Sequence, residues 1–258
     1  MSLHIVSLYS GSSGNAFLIA NGEECVLIDG GKNCKRLCAC LAETGYSPAQ
    51  VRAVLVTHEH CDHISALPVF LKRFGIPAHA VGETADALVS SGVNPALVIP
   101  HSAPFCERIG CFSVAAFPTP HDSRASVGYR IETETGEGLC RIGYATDIGS
   151  LTDPIRENLT GCDYVILESN HDLNMLWNGA YPYPLKKRIA GARGHLSNTD
   201  CAAFAADLAA RGTKRILLAH LSRENNTPEL AYQTTVEQLS GKDVILRVAA
   251  PEEITELI

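Results

Sequence analysis

Ala53-Val54-Leu55-Val56-Thr57-His58-Glu59-His60-Cys61-Asp62-His63 runs from four apolar residues straight into three histidines and two carboxylates. A short unbroken apolar run reads as a strand buried on both faces, and such a strand delivers the polar cluster at its end rigidly to a sheet edge. His58 and His60 alternate by two, so they share a side if the extended backbone continues. Asp62 and His63 fall on the turn into a helix predicted over residues 64–74, where they face a second point, and two points imply two metal ions. Imidazole and carboxylate are the ligands that borderline divalent ions accept, and His-x-His-x-Asp-His offers both types at close spacing. The plainer reading, a polar loop with Asp62 capping the helix, leaves the three histidines without a purpose.

The 258 residues suit one α/β domain, 1–258. No stretch approaches eighteen consecutive apolar residues, and Met1-Ser2-Leu3-His4 lacks a basic region followed by a hydrophobic core and cleavage site. A cytoplasmic protein with no membrane partner is therefore expected. The ten cysteines, Cys25, Cys34, Cys38, Cys40, Cys61, Cys106, Cys111, Cys140, Cys162 and Cys201, include no CxxC pair, which excludes a zinc ribbon and fits a reducing compartment. A net charge of −7 argues against nonspecific affinity for polyanions, although two bound divalent ions would add positive charge where it matters. Lys186, Lys187, Arg188 and Arg193 form a local basic stretch that reads equally as a solvated helix face or as a phosphate contact.

The opening predicts a meander, Leu3–Tyr9, 15–20 and 25–28, turned at Asn21-Gly22. Between its first two strands Ser10-Gly11-Ser12-Ser13-Gly14-Asn15 is small enough to approach a buried site closely, or simply to turn. Asp29, closing the third strand, is placed to hold a ligand or its loop from behind, or to cap a turn. A helix over 32–45, the strand 51–56, the motif and its helix, the strand 78–81, a helix over 83–91 and a strand 97–100 follow. Strands 105–109, 111–117, 126–132 and 138–145 come next, so each half of the chain reads as sheet followed by helix. Later apolar runs also stop at candidate ligands: 114–117 at His121-Asp122, 140–145 at Asp147, 164–167 at Glu168 through Asp172, and 216–219 at His220. Taken in sequence order, His58, His60 and His121 would hold one ion, Asp62, His63 and His220 the other, and Asp147 would bridge them. Asp122 and His171 are placed beside ligands without being needed as such, and Glu168 and Asp172 read as loop-orienting groups.

This seven-residue order resembles the metallo-β-lactamase superfamily, which implies a four-layer αββα sandwich with a dinuclear site at one edge. Ser10-Gly11-Ser12-Ser13-Gly14-Asn15, Glu168-Ser169-Asn170-His171-Asp172, Gly194-His195-Leu196-Ser197-Asn198 and Ala219-His220-Leu221-Ser222-Arg223-Glu224-Asn225-Asn226 narrow the likeness to the bacterial YycJ/WalJ group. That resemblance spans nearly the full length and implies a DNA exonuclease of 5′-to-3′ polarity using a metal-bridging hydroxide as nucleophile. The chain has no long insertion resembling a tRNA-binding arm, so DNA is expected rather than RNA.

His195, at a loop entering a helix predicted over 197–211, reads as the proton donor to the leaving oxygen, with Asp62 the other catalytic candidate. Ser197, Asn198, Ser222 and Arg193 are the candidates to contact the substrate phosphate. Zinc and manganese both suit the ligand set. The same ligands also serve small-molecule hydrolysis, as in a cyclic phosphodiesterase or thioesterase, or persist in a non-catalytic regulatory protein. An open trough lined by Arg193, Lys186 or Arg223 would favour a polymer.

Overall fold

The computed structural model describes residues 2–258, Met1 of the expected domain lying outside the described residues. In chain order the elements are β1 (Leu3–Tyr9), β2 (Ala16–Asn21), β3 (Glu24–Ile28), α1 (Cys34–Glu43), β4 (Val51–Leu55), α2 (Cys61–Ile64), α3 (Leu67–Phe74), β5 (Ala78–Val81), α4 (Gly82–Ser90) and β6 (Val98–His101). The second half comprises β7 (Phe105–Ile109), β8 (Phe112–Pro118), β9 (Val127–Thr135), β10 (Gly138–Ala145), α5 (Asp153–Leu159), β11 (Tyr164–Glu168), α6 (Leu173–Asn178), α7 (Tyr183–Ile189), α8 (Asn198–Ala210), β12 (Arg215–Ala219), α9 (Pro228–Gln238), β13 (Ile245–Val248) and β14 (Thr255–Glu256).

They form two seven-stranded sheets, ordered β14-β1-β2-β3-β4-β5-β6 and β13-β12-β11-β10-β9-β8-β7. Alternate residues of each central strand feed different cores. Leu18, Leu27 and Val54 pack beneath α1 and α3, whereas Phe17, Val26 and Leu55 face the other sheet. Val165, Leu167, Ile216 and Leu218 pack beneath α5 and α8, while Ile166 and Leu217 point back between the sheets. Both faces of each sheet are therefore dry, which is why the central strands read as continuous apolar runs rather than alternating ones. The result is a helix-sheet-sheet-helix sandwich, with Phe17 and Tyr144 meeting edge to face at its centre, 5.1 Å between ring centroids.

Strand direction positions the site. β3 through β6 run parallel, as do β10 through β13, and β8 points the same way as β10 because both are antiparallel to the intervening β9. The loops after β4, β8, β10, β11 and β12 consequently gather at one end of the sandwich. At the β5–β6 edge of the first sheet, His79 of β5 stacks on His101 of β6, with Nδ1 to Nε2 at 2.9 Å.

Several boundaries differ from the sequence expectation for local reasons. The single helix over 64–74 is two, α2 and α3, because Pro68 lies in the first turn of the second and its ring disfavours a helix running through it. Asp62 and His63 thus lie within the short α2 rather than on a turn before a helix. Helix α8 begins at Asn198, with Ser197 as its N-cap. The sequence reading passed over α5, α6, α7, α9, β13 and β14. Cys34 and Cys40 are buried under α1, and all ten cysteines are free.

Candidate metal centre

The seven expected ligands come together at the gathered strand ends. His58, His60 and His121 each present a nitrogen within 4.8 Å of the others, and Asp62, His63 and His220 form a second such set. Asp147 reaches toward both, its Oδ2 lying 3.3 Å from His63 Nε2 and its Oδ1 3.7 Å from His121 Nε2. The rings of His58 and His60 lie 4.6 Å apart, as the two-residue alternation requires.

Four of the five imidazoles, all but His60, are fixed from behind through Nδ1. His63 Nδ1 donates to Asp29 Oδ2 at 2.7 Å, and Asp29 also accepts from the Thr57 amide and hydroxyl, both at 2.8 Å. His58 Nδ1 donates to Thr57 Oγ1 at 2.9 Å, His121 Nδ1 to the Gly194 carbonyl at 3.2 Å, and His220 Nδ1 to Glu168 Oε1 at 2.9 Å. These bonds select the tautomer whose Nε2 carries a lone pair facing inward.

The inward atoms are short of partners. Buried His58 Nε2, His220 Nε2 and Asp147 Oδ2 have no hydrogen bond among the described residues. His60 Nδ1 and His121 Nε2 face each other at 3.3 Å. Orphaned buried lone pairs aimed at a common point cost free energy unless a cation satisfies them, and the nitrogen and carboxylate donors are those of zinc or manganese sites. The residues fit divalent metal ions.

The electrostatics agree. Burial, followed by neighbouring His63, His121 and His60, holds His58 well below its usual range, leaving it neutral. Burial also opposes charge on His63 and His220, but the carboxylates prevail. Asp147, Asp29 and Asp62 raise His63 well above its usual range; Asp147, Asp62 and Glu168 bring His220 up to about 10. Asp62 is held far below the carboxylate range, since His63 and His220 outweigh its burial. The centre concentrates negative charge that calls for protons or metal ions.

Three of the supporting positions, Asp29 (φ 60°), Asp147 (φ 55°) and His220 (φ 58°), have left-handed backbone. Each follows a strand, and the reversal of φ turns its side chain back across the strand end. Asn, Asp and His tolerate this region better than other non-glycine residues. Gly31 serves the same end by contact, because a Cβ there would lie 1.9 Å from the Asp62 carbonyl. The Ser10–Asn15 loop also closes on the centre: Ser10 Oγ accepts from His220 N at 2.8 Å, and Asn15 Nδ2 lies 3.1 Å from His63 Nε2.

Glu168 is the residue whose importance the sequence concealed. Fully buried at the end of β11, its Oε2 accepts from Ile148 N at 2.8 Å and Leu196 N at 3.0 Å, while its Oε1 accepts from His195 Nδ1 at 2.8 Å as well as from His220. The same strand-end rule that singled out Asp147 and His220 marks it, but four polar neighbours followed it in sequence. Glu168 and then Asp147 raise His195 above the ordinary histidine range against the effect of burial. With Nδ1 committed to Glu168, Nε2 is the nitrogen left to face the cavity of about 320 Å³ that His195 lines with His60, Asp62, His121 and Asp147. Asp147, Glu168, His195 and His220 also lie within 4.8 Å of one another, but they are knitted through Nδ1 hydrogen bonds rather than arranged around a gap.

The expected substrate contacts are placed otherwise. Ser197 caps α8, accepting from Asp200 N at 3.1 Å, and Asn198 is buried against Ser169 and Asn226. Ser222 accepts from Asn225 N. Arg193 donates to the His121 carbonyl at 2.7 and 2.9 Å. None of the four lines the cavity, because helix capping and loop closure already occupy their polar atoms. Of the basic stretch, Lys186 is buried, whereas Arg188 reaches the cavity rim and pairs with Asp122. Asp122 also approaches His121 Nε2 at 3.4 Å. Arg223 pairs with Glu252 and donates to Ser13 Oγ at 3.0 Å, beside Ser12 of the cavity lining. His171 is buried, with neither ring nitrogen hydrogen-bonded among the described residues, and burial lowers its proton affinity.

A two-sheet sandwich with histidines and carboxylates converging at its strand ends is the architecture of a metal-dependent hydrolase. Residues 9–148 match the family described as the metallo-beta-lactamase superfamily. The chain is 33% identical over 241 residues to the exodeoxyribonuclease WalJ of Streptococcus pneumoniae serotype 2, covering 92% of this chain and 88% of that one. It is likewise 33% identical over 248 residues to the exodeoxyribonuclease YycJ of Bacillus anthracis, covering 94% and 91%. Among solved structures, the metallo-beta-lactamase fold protein YhfI from Bacillus subtilis covers 99% of this chain and 100% of its own at a TM-score of 0.71 and 17% identity, a likeness of fold. The chain belongs to the metallo-β-lactamase superfamily and, within it, to the YycJ/WalJ group. No helix among the described residues is long and apolar enough to cross a membrane.

Proposed function

We propose that this chain is a dinuclear phosphodiesterase acting on DNA, a cytoplasmic exonuclease of 5′-to-3′ polarity built as one domain. His58, His60 and His121 would hold one divalent ion, Asp62, His63 and His220 the other, and Asp147 would bridge them; zinc and manganese both suit the donors. Bound there, the ions supply charge neutralisation for the phosphodiester and activation of water. The observation that carries the reading is His195, its Nδ1 bonded to Glu168 at 2.8 Å and its ring at the wall of the cavity both ligand sets line.

The residues divide the work. Glu168 orients His195 and His220 with one carboxylate oxygen, coupling the acid to the metal-binding set. His195 then offers a proton from Nε2 to the departing alkoxide oxygen, a step worth roughly 10²- to 10⁴-fold. Asp62, kept ionised, serves the second ligand set. The DNA preference is supported by the names of the two full-length relatives, both exodeoxyribonucleases.

End-labelled single- and double-stranded DNA and RNA, with bis-p-nitrophenyl phosphate alongside, incubated across Mn, Zn and Mg, test the proposal. Stepwise release of nucleotides from the 5′ end of DNA is the expected result. Hydrolysis of the small ester with every polymer left intact would instead favour a small-molecule phosphodiesterase.

A further inference from the structure

The segment between His171 and His195 builds a surface that the catalytic centre does not use. Lys186 Nζ donates to the carbonyls of Trp177 and Gly179, both at 2.8 Å, lashing α7 to the end of α6. This brace fixes two large aromatic side chains in solvent: Trp177 is 44% exposed and Tyr183 64%, with ring centroids 6.2 Å apart at 47°. Lys187 Nζ stands 5.5 Å above the Tyr183 ring. Tyr181, Leu185 and Ile189 line a cavity of about 190 Å³ that shares Asp122, Arg188 and His195 with the candidate metal centre. Tyr181 and Arg188 thus carry the α6–α7 segment to the wall that holds the proton donor.

Trp177 and Tyr183 are the two most exposed large aromatic side chains among the described residues, and a cation stands over one of them. Aromatic faces alternating with cations are what unpaired nucleobases and their phosphates bind, since every base has a face to stack and every linkage an anion to pair. A protein partner fits less well, because Tyr181 and Arg188 lead from the rings to the cavity and Lys187 crowns Tyr183.

We propose that α6 and α7 form a base-stacking subsite for the single-stranded end of a nucleic acid, with Trp177, Tyr181 and Tyr183 receiving bases and Lys187 and Arg188 receiving phosphates. It rests on the nuclease reading and deepens it, for a shelf of this kind selects unpaired strands.

Trp177 is the only tryptophan in the chain, so its fluorescence reports the shelf directly. The metal-loaded protein is titrated with a phosphorothioate oligothymidylate that resists cleavage, and with a blunt hairpin duplex of equal phosphate content. Quenching by the single strand, weakened by salt and much smaller with the hairpin, is expected. Trp177→Ala and Tyr183→Ala should each raise KM for single-stranded DNA roughly 5- to 150-fold, the usual worth of one stacked base. The loss should fall mainly on KM and exceed that on bis-p-nitrophenyl phosphate, which has no following base. Tyr183→Phe, which keeps the ring, should restore most of it. Cleavage of single-stranded DNA with tryptophan emission unmoved and KM unchanged in both alanine variants would overturn the shelf and leave the nuclease standing. Quenching as specified, with no nucleic acid cleaved under any metal, would support the shelf and overturn the nuclease. Equal quenching by the hairpin, or equal losses on both substrates, would also defeat the stacking proposal.

Discussion

Replacing Glu168 by Gln removes one charge and almost no volume, yet it should damage both the metal centre and the acid. The carboxylate accepts four hydrogen bonds, two from His195 and His220 through Oε1 and two from backbone amides through Oε2. An amide can satisfy only one pair. With its oxygen toward the Ile148 and Leu196 amides, the NH2 faces the two imidazoles, whose Nδ1 atoms must become acceptors. Their protons then move to Nε2, which deprives His220 of the lone pair it needs as a ligand. With the amide reversed, two buried backbone donors lose their acceptor at about 1–3 kcal/mol each. The first arrangement should weaken the His220-containing metal site about 10- to 100-fold, the usual effect of losing such an orienting partner. Turnover should fall further, because His195 also loses the carboxylate that orients it. Metal content by mass spectrometry after dialysis at graded free metal, read beside exonuclease rate, measures both. A Glu168→Gln protein with native metal affinity and native rate would refute the argument outright.

Changing Asp147 to Ala or Asn should lower metal content and rate while the far-ultraviolet dichroism stays native; a fully active Asp147→Ala protein holding two ions tightly would dismiss the bridge. His195→Ala should keep both ions and lose roughly 10²- to 10⁴-fold on a substrate with an alkoxide leaving group. That loss should shrink on a p-nitrophenyl ester, whose leaving group needs no proton, and an equal loss on both would indicate phosphate positioning instead. A pH effect is expected outside the ligand set, at His79, which burial and then the neighbouring His101 push down to about 4, against a smaller opposite pull from Glu107. Because the folded value lies below the unfolded one, the unfolded chain gains the proton first, so stability is lost as pH falls from about 6.5 to 4. His79→Phe should flatten that decline by about 1–2 kcal/mol after allowance for solvent screening. Parallel melting curves for the two proteins across this window would count against it.

How much of this was legible depended on whether one strong effect governed the position. The strand ending at His58 announced itself because both its faces are buried, and the alternation of His58 and His60 carried into space unchanged. Ser197 and Asn198 misled because a polar residue beside a catalytic loop has two uses, and the end of a helix claims its hydroxyl locally. Lys186 resembled its neighbours in sequence, yet two carbonyls at the end of α6 draw it inward. Helices α6 and α7, six and seven residues long, are too short for an amphipathic period to emerge. Glu168 needed the partner across the fold, since only the approach of β12 and the His195 loop shows which atoms it serves.

The reversed backbone at Asp147 and His220 makes the ligands unequal as targets for redesign. A library seeking a softer metal would exchange histidines or aspartates for cysteine. At His58 or His121 that exchange tests metal chemistry alone. At positions 147 and 220 it also forces cysteine into a region that suits asparagine, aspartate, histidine and glycine, a handicap of roughly 1–2 kcal/mol before any ion binds. Variants with new metal preference should therefore emerge through His58, His60 and His121 first, and the half of the centre anchored on Asp147 and His220 should be the slower to change.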